Sequence, residues 1–283
     1  MGRLAIIAGG GDLPHIAMRE AIASGEDPIF LSVRESAFEE KEFADRNFPV
    51  YITKIGEVLK LCKKYKVNKL LLLGKVSKDM ILKGYRFDLK ALWLLAKMAN
   101  RNDYTFFQIA AREFEKLGIE IISQKTFLHP LFLPEGRYTK KKLPSHTLED
   151  ISYGMEIARN MANFDIGQTV VVTKKMTLAI EAIEGTDETI LRGGALSRKK
   201  GAVVCKSSRL SQDERFDLPT VGTSTLESMH RSGCDTLVIR SGETMVVDPI
   251  RFIKTAESLK INFLSLANVN PRMANKNYRK IHV

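Results

Sequence analysis

Cysteine is scarce in this chain of 283 residues: Cys62, Cys205 and Cys234 are odd in number and far apart. They form no disulfide framework and match no zinc spacing, so reduced thiols in a cytosolic setting are expected. Long apolar runs are also missing. No stretch approaches the roughly 20 residues that cross a bilayer. Met1-Gly2-Arg3 leads straight into a short apolar strand, which is not the pattern of a secretory signal. Ile6 stands where a myristoylation pattern needs Ser or Thr. His15, His129, His146, His230 and His282 are scattered, with no His-Glu-x-x-His or related spacing. No nucleophile–base pairing, low-complexity tract or internal repeat stands out.

Acidic residues are the minority, 33 against 44 Lys and Arg, for a net charge of +11 and a pI near 9.5. Such a balance points to an anionic partner: nucleic acid, an acidic membrane surface or a phosphorylated metabolite. Part of the excess falls between Arg272 and Lys280, which reads equally well as a solvated tail. With 44% hydrophobic and 27% charged residues, the chain is an ordinary globular one, long enough for two modest domains.

The first half alternates strands with helices. Strands are predicted at Leu4–Ala8, Ile29–Val33, Val50–Ile52, Lys69–Leu73 and Ile119–Ile122, with helices after Pro14 and over Gly56–Lys64, Leu89–Met98 and Thr105–Leu117. That alternation implies a parallel sheet covered on both faces. The apolar run Ala91–Ala96 reads better as core packing than as an acyl-chain contact. His129–His146 holds three prolines and a Lys140–Lys142 run and reads as a linker or a crossing loop.

The second half is a different α/β pattern. Thr169–Val172 and Met176–Ile183 read as a hairpin, Thr236–Arg240 and Thr244–Val247 as another. Helices are predicted over Asp150–Asn163, after Thr186, over Ser224–Ser232 and from Asp248-Pro249, an N-cap followed by proline. Strands are expected at Gly201–Lys206 and Asn262–Leu266. The fold class is therefore α/β: a Rossmann-like parallel-sheet domain over 1–132, then a mixed α/β domain over 133–283.

Three regions are candidates for chemistry. Gly9-Gly10-Gly11 lies between a buried strand and a helix, where backbone N–H groups and the helix dipole favour a phosphate. The match to G-x-G-x-x-G is poor, and Val33-Arg34 ends the second strand where a ribose-binding acid would sit. This disfavours NAD and leaves a mononucleotide or sugar nucleotide; a purely steric glycine turn is the alternative. Gly74-Lys75 closes a buried strand, so Lys75 is placed for a phosphate or is a surface lysine. Asp103 opens a helix and reads first as an N-cap.

The remaining candidates are two acidic blocks, Glu181–Asp187 and Gln212–Pro219. Gathered carboxylates raise one another's pKa unless a cation sits among them, and Mg²⁺ is the usual oxygen-ligated one. Strand alternation sends Glu181 and Glu184 to opposite faces unless the strand ends first, so one active carboxylate is favoured over two. Thr186 or Asp187 otherwise caps the next helix. Asp213 and Asp217 share a loop stiffened by Pro219, with Arg215 between them to neutralise carboxylates or clamp a phosphate. Lys206 ends a strand pointing toward that loop. A solvated charged loop is the alternative.

The stretches Ile6–Gly11, Val170–Val172, Glu181–Asp187 and Gln212–Gly222 resemble the LpxI family of UDP-2,3-diacylglucosamine pyrophosphatases, and the resemblance runs from Gly2 to about Leu266. It implies hydrolysis of UDP-2,3-diacylglucosamine to UMP and 2,3-diacylglucosamine 1-phosphate (lipid X) in lipid A synthesis. Mg²⁺ would assist, Mn²⁺ being a substitute. It also implies two domains with the substrate held between them. Asp217 matches the family's essential aspartate. Asn102-Asp103-Tyr104 departs from the usual Gly-Asp-Asp, which leaves Asp103 as the matched position. Asp-x-His and Gly-Asn-His signatures of metallophosphoesterases are absent, so a di-metal mechanism of that type is not expected.

The combined expectation assigns Asp217 and Asp213 to catalysis, and Gly10, Gly11, Lys75, Asp103, Thr186, Lys206, Gln212 and Arg215 to the substrate. Asp217, Glu184 and Asp187 are assigned to the metal. A cytoplasmic protein at the inner face of the cytoplasmic membrane is expected, with no nucleic-acid partner; self-association is open. Two rivals stand beside it, a nucleotide-sugar oxidoreductase using the glycine turn and a non-enzymatic nucleic-acid binder.

Overall fold

The computed structural model describes residues 2–36, 38–40, 42–74, 87–96, 109, 111–140, 143–199, 201–216 and 218–267, without the side chains of 94–96. The chain divides into two compact units, Met1–His129 with Glu214–Asp217, and Pro130–Asp213 with Leu218–Val283. Among the described residues no helix is long and apolar enough to cross a membrane.

The first unit is built on parallel strands β1 (Arg3–Ala8), β2 (Ile29–Ser32), β3 (Val67–Leu73) and β4 (Glu120–Ile121), in the order β2-β1-β3-β4. Period-2 alternation sorts their side chains to two faces. Ala5, Ile7, Leu31 and Leu70 share a core with Ile55, Val58, Leu59 and Cys62 of α2 (Ile55–Lys64). Leu4, Ile6 and Phe30 alternate with them and are fully buried, as are Ala17, Met18 and Ala21 of α1 (Leu13–Ala23). The α3 helix (Leu89–Ala96) starts behind Asp88, whose carboxylate accepts from Ala91 N–H at 2.8 Å and Gly56 N–H at 2.6 Å. Ala91 is core as expected, but Leu92 and Trp93 are exposed.

A four-residue helix, α4 (Lys125–Leu128), closes the unit. Glu214 returns to it: its carbonyl accepts from Gln124 N–H at 2.8 Å, its carboxylate pairs with Lys125 at 2.6 Å, and Phe216 joins the core. The strand predicted at Val50–Ile52 is a single bridge, Val33 to Val50. Of the helix predicted over Thr105–Leu117, residues 111–115 are helical and 105–108 lie outside the described residues.

The second unit is a three-layer sandwich. Its sheet runs β5 (Gly136–Arg137), β12 (Asn262–Leu266), β10 (Thr236–Arg240), β8 (Val203–Lys206), β6 (Thr169–Thr173), β7 (Met176–Ile180). The centre, β8, β10 and β12, is parallel; β6 and β5 are antiparallel to their neighbours. Val170, Val172, Val203, Cys205, Val238 and Leu264 face α5 (Ser145–Asn163). Val171, Val204, Leu237, Ile239 and Phe263 face α6 (Thr186–Leu196), α7 (Thr223–Ser232) and α8 (Pro249–Ser258). Close approach is built in: a β-carbon on Gly154 of α5 would stand 2.6 Å from Cys205 Sγ. Burial raises the Cys205 thiol well above its ordinary value, and those of Cys62 and Cys234 to about 11.

Non-local pairing decides two regions here. The predicted linker supplies β5, and Tyr138 N–H donates to the Phe263 carbonyl at 2.9 Å. The second predicted hairpin does not form. Fully buried β10 takes β8 and β12 as parallel neighbours, while β11 (Met245–Val246) pairs in parallel with β9 (Thr220–Val221).

Candidate functional site

In the first unit the candidate residues surround the end of β1. The chain leaves β1 toward β2 on one side and reaches β3 on the other, so the carboxyl ends of β1 and β3 flank the topological switch point where open α/β sheets take ligands. Gly9 N–H donates to the Leu73 carbonyl at 2.7 Å, tying the two ends together. Gly11 has φ +101° and Gly74 φ +87°, conformations that favour glycine. Gly10 is half-buried and Gly11 exposed, just ahead of the first turn of α1, with Pro14 in it.

Neighbouring side chains sharpen the picture. His15 of α1 stacks on Phe38 at 4.9 Å, and its Nε2 lies 3.3 Å from the Glu40 carboxylate. Glu35, just beyond β2, is the acid nearest the ribose position of a dinucleotide fold. Its carboxylate instead accepts from Ile52 N–H, Thr53 N–H and the Thr53 hydroxyl at 3.1–3.2 Å. Arg215 belongs to this unit, 3.4 Å from Glu115 and stacked over Phe216 with 5.1 Å to the ring centroid.

In the second unit the sheet register does the gathering. Lys206 pairs with Thr169 on one side and Ile239 on the other, and Val170 pairs with Ile180. The carboxyl ends of β7, β8 and β10 therefore share one edge with the start of α6. There Lys206 Nζ donates to Thr186 Oγ1 at 2.7 Å, and Thr186 Oγ1 donates to Glu181 Oε1 at 2.8 Å. Lys206 is only 5% exposed. Two candidates twenty residues apart thus meet, joined by a carboxylate from the first acidic block. The strand β7 ends at Ile180, so the alternation that set Glu181 against Glu184 does not extend to them.

Past Lys206 the backbone is clamped. Arg159 of α5 donates to the Ser208 carbonyl at 2.8 Å and to both oxygens of Glu243, at 2.9 and 2.8 Å; the Ser208 hydroxyl also bonds Glu243. Arg240 donates to the Ala267 carbonyl at 2.7 Å. Burial, then repulsion from Arg159, lowers the Arg240 guanidinium below its ordinary value, with Glu243 opposing. This arginine–glutamate clamp left no sequence signal, because its members come from three distant segments.

Glu184 accepts from Arg192 at 2.6 Å, Thr189 Oγ1 at 3.1 Å and Ala182 N–H at 3.2 Å. Backbone hydrogen bonding first, then Arg192, holds its carboxyl below the ordinary range. Asp187 is exposed on the first turn of α6, behind Gly185 with φ +84°. Gln212 accepts from Arg209 Nε at 3.2 Å, and Asp213 follows, half-buried. Among the described residues no group of three or more His, Cys, Asp or Glu is placed to hold a metal ion. Mg²⁺ usually takes one or two carboxylates and completes its shell with water and substrate phosphates. Asp187 suits such a set; Glu184 would first have to leave Arg192. Asp217, Lys75, Asp103 and the Arg272–Lys280 stretch lie outside the described residues.

Known proteins divide the chain in a similar place. Residues 3–131 match the LpxI N-terminal domain family and residues 134–264 the LpxI C-terminal domain family. A relative from Caulobacter vibrioides, named UDP-2,3-diacylglucosamine pyrophosphatase LpxI, is 30% identical over 283 aligned positions, 94% of this chain and 98% of that protein.

Proposed function

The chain belongs to the LpxI family, and on that premise we propose that it hydrolyses the pyrophosphate of UDP-2,3-diacylglucosamine to UMP and 2,3-diacylglucosamine 1-phosphate in lipid A synthesis. The observation that carries the proposal is the meeting of Thr186 and Lys206 at the carboxyl edge of the second unit's sheet, in the block with the family's Glu-Gly-Thr-Asp sequence. Phosphoryl transfer needs little covalent help from a protein. It needs an aligned water and opposed charge around the phosphoryl oxygens.

The roles follow from the family resemblance together with the chemistry of the residue types. Water attacks the glucosamine-side phosphorus; the bond from that phosphorus to the bridging oxygen breaks, and UMP leaves with that oxygen. Asp217 orients the water or holds the metal, and Asp213 assists it. Lys206, Arg215 and Lys75 oppose phosphate charge, while Thr186, Gln212 and Asp103 contribute polar contacts. Gly10 and Gly11 offer backbone N–H groups to the nucleotide phosphates. Mg²⁺, with Mn²⁺ as a substitute, would be held by Asp217 with Asp187 and Glu184, and would supply charge neutralisation on the phosphate oxygens.

The partner beyond the substrate is proposed to be the anionic inner leaflet of the cytoplasmic membrane. Supporting this, Leu89, Leu92 and Trp93 of α3 are 87%, 49% and 44% exposed at i, i+3 and i+4, one face of the helix, in a chain of net charge +11. The test of the activity is incubation of purified protein with UDP-2,3-diacylglucosamine and Mg²⁺. UMP should appear, stop with chelator and return with added Mg²⁺. Intact substrate under all three conditions would reject the reading.

A further inference from the structure

We propose that Glu181 is a positioning residue, which orients the Thr186 hydroxyl and through it fixes the Lys206 ammonium. This rests on the reading that Lys206 opposes phosphate charge in the hydrolytic reaction. The protons set the direction of the chain. An ionised carboxylate only accepts, so the single proton of Thr186 Oγ1 goes to Glu181 Oε1, 2.8 Å away. The hydroxyl keeps only lone pairs for Lys206 Nζ at 2.7 Å, and an ammonium only donates. The order Lys206 to Thr186 to Glu181 is therefore one-way. With Lys206 5% exposed, little water competes, and hydrogen bonds in series strengthen one another.

Glu181 is itself held from several sides. Its second oxygen accepts from Gln168 N–H at 3.3 Å, and its own N–H donates to the Thr169 carbonyl at 2.8 Å. Gly167 presses against it: a β-carbon there would overlap the Glu181 carbonyl group and come within 2.9 Å of Glu181 Cβ. Thr169 Oγ1 stands 3.4 Å from Thr186 Oγ1 on the neighbouring strand. A carboxylate fixed this firmly restricts the rotamers of the hydroxyl that bonds it, and hence the reach of the lysine. Glu184 makes no such link in the same block; it bonds Arg192 and Thr189.

The test compares Glu181→Gln, Thr186→Val, Thr186→Ser, Lys206→Met and the double variant Glu181→Gln/Lys206→Met for UMP release, after matching their thermal midpoints. Glu181→Gln and Thr186→Val should each lower kcat/KM by about tenfold or more, the scale of a lost hydrogen bond to a charged group. Thr186→Ser, which keeps the hydroxyl, should recover most of the Thr186→Val loss. In the Lys206→Met background, Glu181→Gln should cost less than about twofold, since it acts through the lysine already removed. An equal loss in both backgrounds would overturn the proposal, as would a Glu181→Gln enzyme with wild-type kinetics. Calorimetric binding of inorganic pyrophosphate, read without turnover, separates this from the hydrolytic reading. Coupled losses of affinity in a protein that releases no UMP would keep the positioning role and reject the hydrolysis. Affinity unchanged by both Glu181→Gln and Lys206→Met would reject the positioning role.

Discussion

Gly74 packs against Gly9, and the contact leaves no space for a side chain. With φ at +87°, a β-carbon on Gly74 would overlap the Gly9 carbonyl group and lie 2.8 Å from Gly9 Cα. The ends of β1 and β3 are thereby locked at the switch point of the first sheet. Gly11 is the internal control, since its φ of +101° is equally demanding but none of the described residues lies within 4 Å of its β-carbon position. Gly11→Ala should pay only the conformational cost of a left-handed residue, about 1–2 kcal/mol, or roughly 2–8 °C in melting temperature. Gly74→Ala should fall clearly further by adding overlap with backbone. Equal shifts in a thermal melt would remove the steric account of Gly74.

Asp217→Ala should leave the melting temperature near that of the wild type and reduce turnover by several orders of magnitude, each factor of ten being about 1.4 kcal/mol of transition-state stabilisation. Asp217→Asn should keep substrate affinity while losing turnover, because it preserves shape and removes charge. A purified Asp217→Ala protein with most of its activity would take that residue out of the mechanism.

Glu113 offers a pH test of the first unit. Its side chain is 6% exposed and pairs with Lys116 at 2.5 Å and Lys90 at 2.8 Å. Hydrogen bonds from Lys116 and then Lys90 hold its carboxyl below the ordinary value. A depressed folded pKa contributes stability that is complete above the unfolded value, about 4.3, and is lost as pH falls through the folded one. Glu113→Gln should therefore melt below wild type at pH 7, with the gap closing at pH below about 4. A gap independent of pH from 7 to 3 would contradict the assignment.

Trp93 is the sole tryptophan of the chain, so its emission reports on the exposed face of α3 without labelling. Vesicles containing anionic lipid should shift that emission to the blue and pull the protein into the vesicle pellet, less so at high salt. Leu89→Ser/Leu92→Ser should weaken both effects. Emission and pelleting unchanged by anionic vesicles would exclude this surface.

Much of the architecture was legible because it is local. Apolar runs mark β1 and β3, and the Asp248-Pro249 signal is a true cap, with the Asp248 carboxylate accepting from Arg251 N–H at 3.1 Å. Gly233, at φ +76°, ends α7 as a left-handed C-cap. What stayed hidden was pairing at a distance. Periodicity says that 245–246 is extended but not that its partner is 220–221. Nor does it say that Phe216 enters the first unit's core from a loop of the second half. The site followed the same rule. Thr186 and Lys206 were each visible as polar residues at element ends, whereas their 2.7 Å bond depends on the β6–β8 register. Alternation alone sets Glu181 and Glu184 on opposite faces, with Glu184 assigned to the metal, whereas the end of β7 at Ile180 leaves each with its own partners.

The most direct measurement is a single hydrolysis of UDP-2,3-diacylglucosamine in ¹⁸O-labelled water with Mg²⁺, with both products analysed by mass. The account predicts unlabelled UMP and one ¹⁸O in the sugar 1-phosphate. Absence of UMP, or label in UMP instead, would contradict it.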